Sequence, residues 1–316
     1  MNLIPERPIS RVVELARRAE ELGYDRCWVY DEGLATRDVY VTLAAIAAAT
    51  ERLELGPGIT NPYTRHAAGT AGAVAALDEL SGGRAFLGIG AGGSLTLDPL
   101  GIARRRPLTA VRETIDACRL LFGGETVDLD GRHVTLRRAR LGNGRPSTGI
   151  WLAGRGPKML ALGGATCDGV LLDFIYKPHL ADVVALVRDA GAAVGNHPAI
   201  SYSTVVITDQ RTMDATRPHM TYRLVDSPRP VREAIGLSDA DADRIRSAMA
   251  EGLEPAAAHV RDEWVLPFVI AGSVEECAAE LAEMIDRHGI DEFLLPILDD
   301  ATAESLLTTV ASLLPR

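Results

Sequence analysis

Apolar residues recur along this chain in two alternating rhythms. From about Ile9 to Leu22 they return every three or four positions. Val12, Val13, Leu15, Ala16, Ala19 and Leu22 fall on one face, and Gly23 follows as a stop signal, so the spacing predicts a helix. Directly after it, Arg26-Cys27-Trp28-Val29-Tyr30 is a short apolar run with the look of a strand. The alternation then repeats. An Ala-rich helix from about Val39 to Thr50 leads to a strand from Leu53 to Ile59. A helix from His66 to Leu80 ends in Ser81-Gly82-Gly83, and a strand follows from Ala85 to Gly90. A helix over Pro107 to Phe122 precedes strands at Ile150–Ala153 and Asp168–Leu172, with a short helix between them. Another helix runs near Leu180 to Ala190, and Ile200 to Thr208 reads as a seventh strand. Residues 125–141 form a small β excursion turning at Asp130-Gly131. About 212–288 reads as a long helical segment, Glu292 to Ile297 as an eighth strand, and a last helix closes the chain.

With the short apolar start at Leu3 and Ile4, eight strands separated by helices predict an α/β fold, a (β/α)8 TIM barrel. No break in composition divides the chain, so one domain over 1–316 is expected, with 212–288 as a helical insertion between the seventh and eighth strands. The 316 residues suffice for a large core. A composition of 47% apolar and 24% charged residues is that of a globular protein, and only 5% aromatic content points to helices packed closely on a sheet. A net charge of −10 argues against nucleic acid or an anionic membrane as partner. It leaves room for an anionic ligand held by local donors. No apolar run reaches membrane-spanning length and no leader pattern opens the chain, so a cytoplasmic protein is expected. Cys27 and Cys118 lie in apolar runs and are expected to be buried thiols. No His or Cys spacing fits a metal site, and none is expected.

Turn chemistry is densest where predicted strands end, the side on which α/β folds bind ligands. Leu55-Gly56-Pro57-Gly58-Ile59-Thr60-Asn61-Pro62-Tyr63-Thr64-Arg65-His66 passes from strand to helix through more Gly, Pro and Asn than a simple connection needs. Gly88-x-Gly90-x-x-Gly93 follows a strand but not the long helix of a dinucleotide fold, because Pro99 and Gly101 make that helix improbable. A glycine loop at a barrel strand end, its amides facing a phosphate or ring, is the functional alternative to a plain tight turn. Gly154-Arg155-Gly156-Pro157-Lys158 has the same form. Pro157 suits a first helical turn, whose free amides, with Arg155 and Lys158, are the strongest phosphate-binding candidate; a solvated strand–helix loop is the bland alternative. Asp31-Glu32, then Arg37-Asp38, follow the second strand, and Glu6 lies beyond the first. Carboxylates there act as general acids or orient a ring, or are simply solvated.

Taken together, these segments resemble the luciferase-like oxidoreductases, (β/α)8 barrels that use a flavin or the deazaflavin coenzyme F420. The nearest likeness is to the methylene-tetrahydromethanopterin reductase branch. It is carried by Ala19-Glu20-Glu21-Leu22-Gly23-Tyr24-Asp25 with Trp28 and Asp31, by Arg37 to Leu43, by Leu55 to His66 and by Leu77 to Gly92. Gly154 to Met159 and Asp168-Gly169-Val170 complete it. The resemblance implies a non-prolyl cis peptide at Gly58–Ile59, forming a bulge behind the coenzyme ring. It implies that Asp31, Thr60 and Asn61 line that ring, and that Gly92-Gly93-Ser94 and Gly154 to Lys158 hold the ribityl-phosphate tail. Many deazaflavin members carry Asp-His after the second strand; this chain has Asp31-Glu32.

The implied function is hydride transfer from reduced F420 to a C=N or C=C bond of a small molecule such as a methylene-tetrahydropterin. Asp31 or Glu32, or else Glu6, would donate or relay a proton. The alternative is an FMN-dependent monooxygenase using O2. Family members are typically dimers or tetramers, so a homodimer or homotetramer is expected. The insertion around 212–262 is where substrate identity is expected to reside.

Overall fold

Parallel strands alternate with helices from the first residues onward in the computed structural model, which describes residues 1–313. The described chain forms two compact units, Met1–Leu172 with Val183–Ser201, and Asp173–Asp182 with Tyr202 onward.

In the first unit the order is β1 (Asn2–Leu3), α1 (Ile9–Leu22), β2 (Arg26–Val29), α2 (Val39–Ala49), β3 (Glu54–Pro57), α3 (Ala67–Ser81), β4 (Leu87–Ile89), α4 (Ser94–Leu97) and α5 (Pro107–Phe122). The expected excursion is an antiparallel hairpin of β5 (Val127–Asp130) and β6 (Thr135–Ala139). Then come β7 (Ile150–Ala153), α6 (Pro157–Thr166), β8 (Gly169–Asp173), α7 (Leu180–Ala192) and β9 (Ala199–Ser203). Outside that hairpin, β1, β2 and β3 pair in parallel, as do β4, β7 and β8: Trp28 stands beside Asn2 and Gly56, Gly88 beside Trp151, and Leu152 beside Val170. Bridges at Leu55–Ala85 and Thr60–Ile89 tie β3 to β4. Where the rhythm predicts stops, α1 and α3 end on left-handed glycines, Gly23 (φ 90) and Gly82 (φ 70).

Few aromatics fill this interior, but they are large and central. Trp28 meets Phe86 and Trp151 edge-on, at centroid distances of 4.5 and 5.6 Å. Glycine makes the space for them. A Cβ on Gly56 would lie 2.4 Å from the Phe86 carbonyl oxygen, and one on Gly58 2.6 Å from the Trp28 Cβ. On Gly88 it would lie 2.1 Å from the Pro57 oxygen, and on Gly90 2.1 Å from Ile59 Cδ1. The glycines of Gly88-x-Gly90 therefore serve close backbone approach, and the Gly90 amide is spent on the Thr60 carbonyl at 3.0 Å. The expectation for Cys27 and Cys118 holds: both are buried, and burial pushes each thiol up to about 12.

In the second unit, β10 (Val206–Ile207) is followed by α8 (Gln210–Val225), α9 (Arg229–Ala234), α10 (Asp239–Met249), α11 (Leu253–Ala257) and α12 (Asp262–Val265). Then come β11 (Ile270–Ala271), α13 (Val274–His288), β12 (Glu292–Leu294), β13 (Pro296–Ile297) and α14 (Asp300–Leu313). Two expectations need correction. The strand expected over Ile200–Thr208 is split into β9 and β10, and residues 212–288 are not helical throughout. β11 pairs in parallel with β10, Val206 beside Ile270. Two residues between Pro267 and Gly272 are too short a run to carry a strand period. The helices enclose their own core of Met220, Leu224, Trp264, Val265 and Phe268. No helix among the described residues is long and apolar enough to cross a membrane.

Two stability outcomes follow. Gly88→Ala forces a methyl into backbone and is expected to cost about 3 kcal/mol in denaturant unfolding. Gly69→Ala, on an open stretch of α3 where a Cβ meets nothing within 4 Å, is expected to add about 0.5 kcal/mol. Equal effects for the two would refute the packing account. In α8, burial and the Arg223 charge push His219 down to about 4, against the backbone bond at Leu298. Its folded value lies below its unfolded one, so the unfolded chain takes the proton first. Stability contributed by neutral His219 is intact above pH about 6.5 and lost toward pH about 4, by roughly 3 kcal/mol. His219→Gln should flatten the unfolding profile between pH 7 and 4.5.

Candidate active site

Asp31 lies two residues beyond the end of β2, and its carboxylate is only 7% exposed. Oδ2 accepts from the Thr60 hydroxyl and from Arg65 Nη1, both at 2.6 Å. Arg65 Nη2 donates to Asp38 Oδ2 at 2.7 Å, while Asp38 Oδ1 accepts the N–H groups of Tyr40 and Val41 at 2.9 and 3.1 Å. Asp38 thus caps α2 and orients Arg65 with the same carboxylate. Burial raises its pKa, but the Val41 N–H and the Arg65 guanidinium more than offset this and hold it below the usual value. For Arg65, burial acts downward and the Asp31 charge and the Asp38 bond prevail, so its pKa is raised. The guanidinium also lies over the Tyr40 ring, 5.1 Å from its centroid.

Beside this cluster the Gly58–Ile59 peptide is cis, as the resemblance implies. The Gly58 N–H bonds the Val29 carbonyl at 2.6 Å, and Asn2 Nδ2 donates to the Gly58 carbonyl at 3.1 Å. Thr60 and Asn61 are buried at 0% and 2% exposure. Asn61 Oδ1 accepts from the Tyr63 and Thr64 amides at 2.9 and 3.0 Å, an Asx turn that shapes the exit from β3. His66 caps α3 through its ring nitrogen, which accepts the Ala68 N–H at 3.2 Å.

After β4, Gly92 is left-handed (φ 71), and a Cβ there would come within 3.2 Å of the Asn61 Cβ. Gly93 and Ser94 are exposed, with open space at Gly93. The long helix of a dinucleotide fold does not form here, as expected; only the single turn α4 does, followed by a tighter turn over Asp98–Leu100. Pro99 fits because the start of a turn needs no N–H from it, and Gly101 (φ 66) ends it at once. After β7, Gly154 packs against Met159, while Arg155, Gly156, Pro157 and Lys158 are exposed. Gly156 precedes α6 in extended conformation with no side-chain cap, and Pro157 is its first residue.

Glu32 lies beside Asp31 and opens a short turn over Gly33–Ala35. Glu6 is exposed, and its carbonyl accepts from the Arg37 guanidinium. The described contacts join Asp31, Thr60 and Arg65 directly. Arg65 is not among the residues expected from the sequence to act, and Asp38 enters there only as a carboxylate that orients a ring, acts as an acid or is solvated. The signal was there in a lone cation ending the most turn-rich segment of the chain.

The model of the luciferase-like monooxygenase family matches residues 2–292. The chain belongs to that family. Among similar proteins, the luciferase-like chain is 33% identical over 294 residues to the 5,10-methylenetetrahydromethanopterin reductase of Methanolobus tindarius, covering 90% of each. The coenzyme F420-dependent tetrahydromethanopterin reductase of Methanopyrus kandleri superposes with a TM-score of 0.88 over 98% of this chain and 96% of its own, at 24% identity. An F420-dependent secondary alcohol dehydrogenase, solved with an F420-acetone adduct, superposes with a TM-score of 0.79 over 100% of this chain and 98% of its own, at 18% identity. The fold is the (β/α)8 barrel of this family.

Arg65→Met leaves the buried Asp31 carboxylate with Thr60 alone. Because Arg65 retains 26% of its side-chain surface in water, the expected cost is about 2 kcal/mol, read by denaturant unfolding. A loss under about 0.5 kcal/mol would show that the pair holds nothing together.

Proposed function

We propose that this enzyme moves hydride from reduced coenzyme F420 to the C=N or C=C bond of a small molecule, with a 5,10-methylene-tetrahydropterin as the substrate class. It is an F420-dependent oxidoreductase: its relatives over nine-tenths of the chain are named 5,10-methylenetetrahydromethanopterin reductases, and the tetrahydromethanopterin reductase on which it superposes is coenzyme F420-dependent. The observation that carries the reading is the buried Asp31–Thr60–Arg65 cluster at the strand ends, joined by hydrogen bonds of 2.6 Å and with Thr60 fully buried.

The residues present fit a planar deazaflavin with a phosphorylated tail. Gly93 and Gly156 leave open space at two strand ends, and α6 starts uncapped beside Arg155 and Lys158. The buried Thr64 hydroxyl has no partner among the described residues. In this reading Gly58 and Ile59 back the ring, Thr60 and Asn61 line it, and Gly92, Gly93, Ser94 and Gly154 to Lys158 hold the ribityl phosphate. When bound, the reduced coenzyme supplies a hydride.

The chain's own part is positioning and proton supply. Asp31 Oδ2 already accepts two hydrogen bonds, so a proton relayed by Asp31 passes through Oδ1. Arg65 and Thr60 fix the plane of that carboxyl. Glu32 next to it, or Glu6 beyond β1, is the alternative donor to the reduced substrate. We place the working form in the cytoplasm as a homodimer or homotetramer. The apolar outer faces of α2 and α3 support association, with Val41 59% and Leu80 55% exposed.

Absorbance and fluorescence titration tests the cofactor. F420 is expected to bind at least about ten-fold more tightly than FMN, and reduced F420 to be oxidised on adding a methylene-tetrahydropterin. Protein that purifies yellow with FMN and consumes O2 with a flavin reductase would replace this reading with the monooxygenase.

A further inference from the structure

The glycine loop after β4 has a cationic neighbour that hydride transfer does not use. Arg104, Arg105 and Arg106 are consecutive and all exposed, in a chain whose net charge is −10. Two hydrogen bonds pin the run against the loops of the candidate site. Arg104 Nη1 donates to the Gly92 carbonyl at 2.9 Å, and the Tyr63 hydroxyl donates to the Arg105 carbonyl at 2.9 Å. Tyr63 is itself braced edge-on by His133, centroids 5.4 Å apart, and His133 Nε2 lies 2.8 Å from the Pro62 oxygen. The run is therefore a built part of the same strand ends, one residue removed from both the Asn61 turn and Gly93.

Its backbone is unusual as well. Arg106 is left-handed (φ 49), a conformation that non-glycine residues seldom take, immediately before Pro107 opens α5. Arg105 and Arg106 form no salt bridge among the described residues, whereas Arg18, Arg137 and Arg229, equally exposed, each pair with a nearby carboxylate. Three adjacent unneutralised guanidiniums repel one another. An incoming chain of carboxylates would relieve that repulsion and meet each fork in the geometry it favours.

We propose that Arg104-Arg105-Arg106 binds the polyanionic end of the coenzyme, the glutamyl carboxylates that follow its phosphate. This rests on the F420 reading above and extends it. Gly92-Gly93-Ser94 takes the phosphate region, and the arginine run takes what lies beyond it. The shared chemistry is a string of carboxylates, so the anionic end of a substrate is the competing source.

Fluorescence titration of the wild-type protein and of Arg105→Gln/Arg106→Asn separates the cases. Asn is chosen because it tolerates the left-handed backbone, and Arg104 is kept for its bond to Gly92. Three probes are used: intact F420, F420 lacking its glutamates, and the tail-free 8-hydroxy-5-deazaflavin riboside. The variant is expected to bind intact F420 about ten-fold more weakly and the two shorter probes as the wild type does. Raising the salt from about 20 to 300 mM should weaken intact F420 on the wild type and have little effect on the variant. Unchanged affinity of the variant for intact F420, with the riboside still bound, overturns this inference alone and assigns the run to another anion. Wild-type protein that binds neither the riboside nor F420 overturns the coenzyme reading and this inference with it.

Discussion

Four backbone positions in and just beyond β3 and β4 have no room for a side chain. At Gly56, Gly58, Gly88 and Gly90 an added methyl would sit between 2.1 and 2.6 Å from a neighbouring atom. That closeness lets Trp28 fill the interior and brings the exit of β3 against the exit of β4, so that Thr60 donates its N–H to the Gly88 carbonyl and accepts the Gly90 N–H across the gap. The polar groups at the strand ends inherit their positions from it. Thr60 can reach Asp31 because the strands beneath them touch, and Asn61 can shape its turn because Gly92 yields space beside it. Packing with nothing polar in it decides where the polar chemistry stands.

The segments that make the family resemblance specific do different work from those that set the site. In Leu77 to Arg84, Asp78 accepts the Ala85 amide at 3.1 Å and is gripped by Arg145 at 2.6 Å. The Arg84 guanidinium satisfies carbonyls of Ala47, Thr50 and Leu53. These contacts close the end of the strands opposite the candidate site, where barrel residues serve stability rather than reaction. Recognition of the family thus rests partly on scaffold, which explains why fold and coenzyme class are legible while the substrate is not.

Legibility followed the physics of each signal. Long amphipathic helices and apolar strands such as Arg26–Val29 announce themselves by period, and the hairpin at Asp130-Gly131 by its turn residues. β11 carried no such signal in two residues, and α4 was hidden by a proline that ends a helix only when it falls inside one. The glycines at 88 and 90 looked like a binding loop because a sequence displays the missing side chain and not the atom that excludes it. Arg65 was undervalued for a related reason: its partners Asp31 and Asp38 lie 34 and 27 residues away, beyond any local pattern.

Asp38 couples two things usually separate. One oxygen fixes the first turn of α2, and the other fixes the guanidinium that grips Asp31. A displacement of that helix, which belongs to the outer shell, is therefore felt at a carboxylate in the interior without passing through any strand. A substitution on the outside of α2 that shifts its first turn moves the Arg65 guanidinium against Asp31 while Asp31, Thr60 and Arg65 all keep their identity.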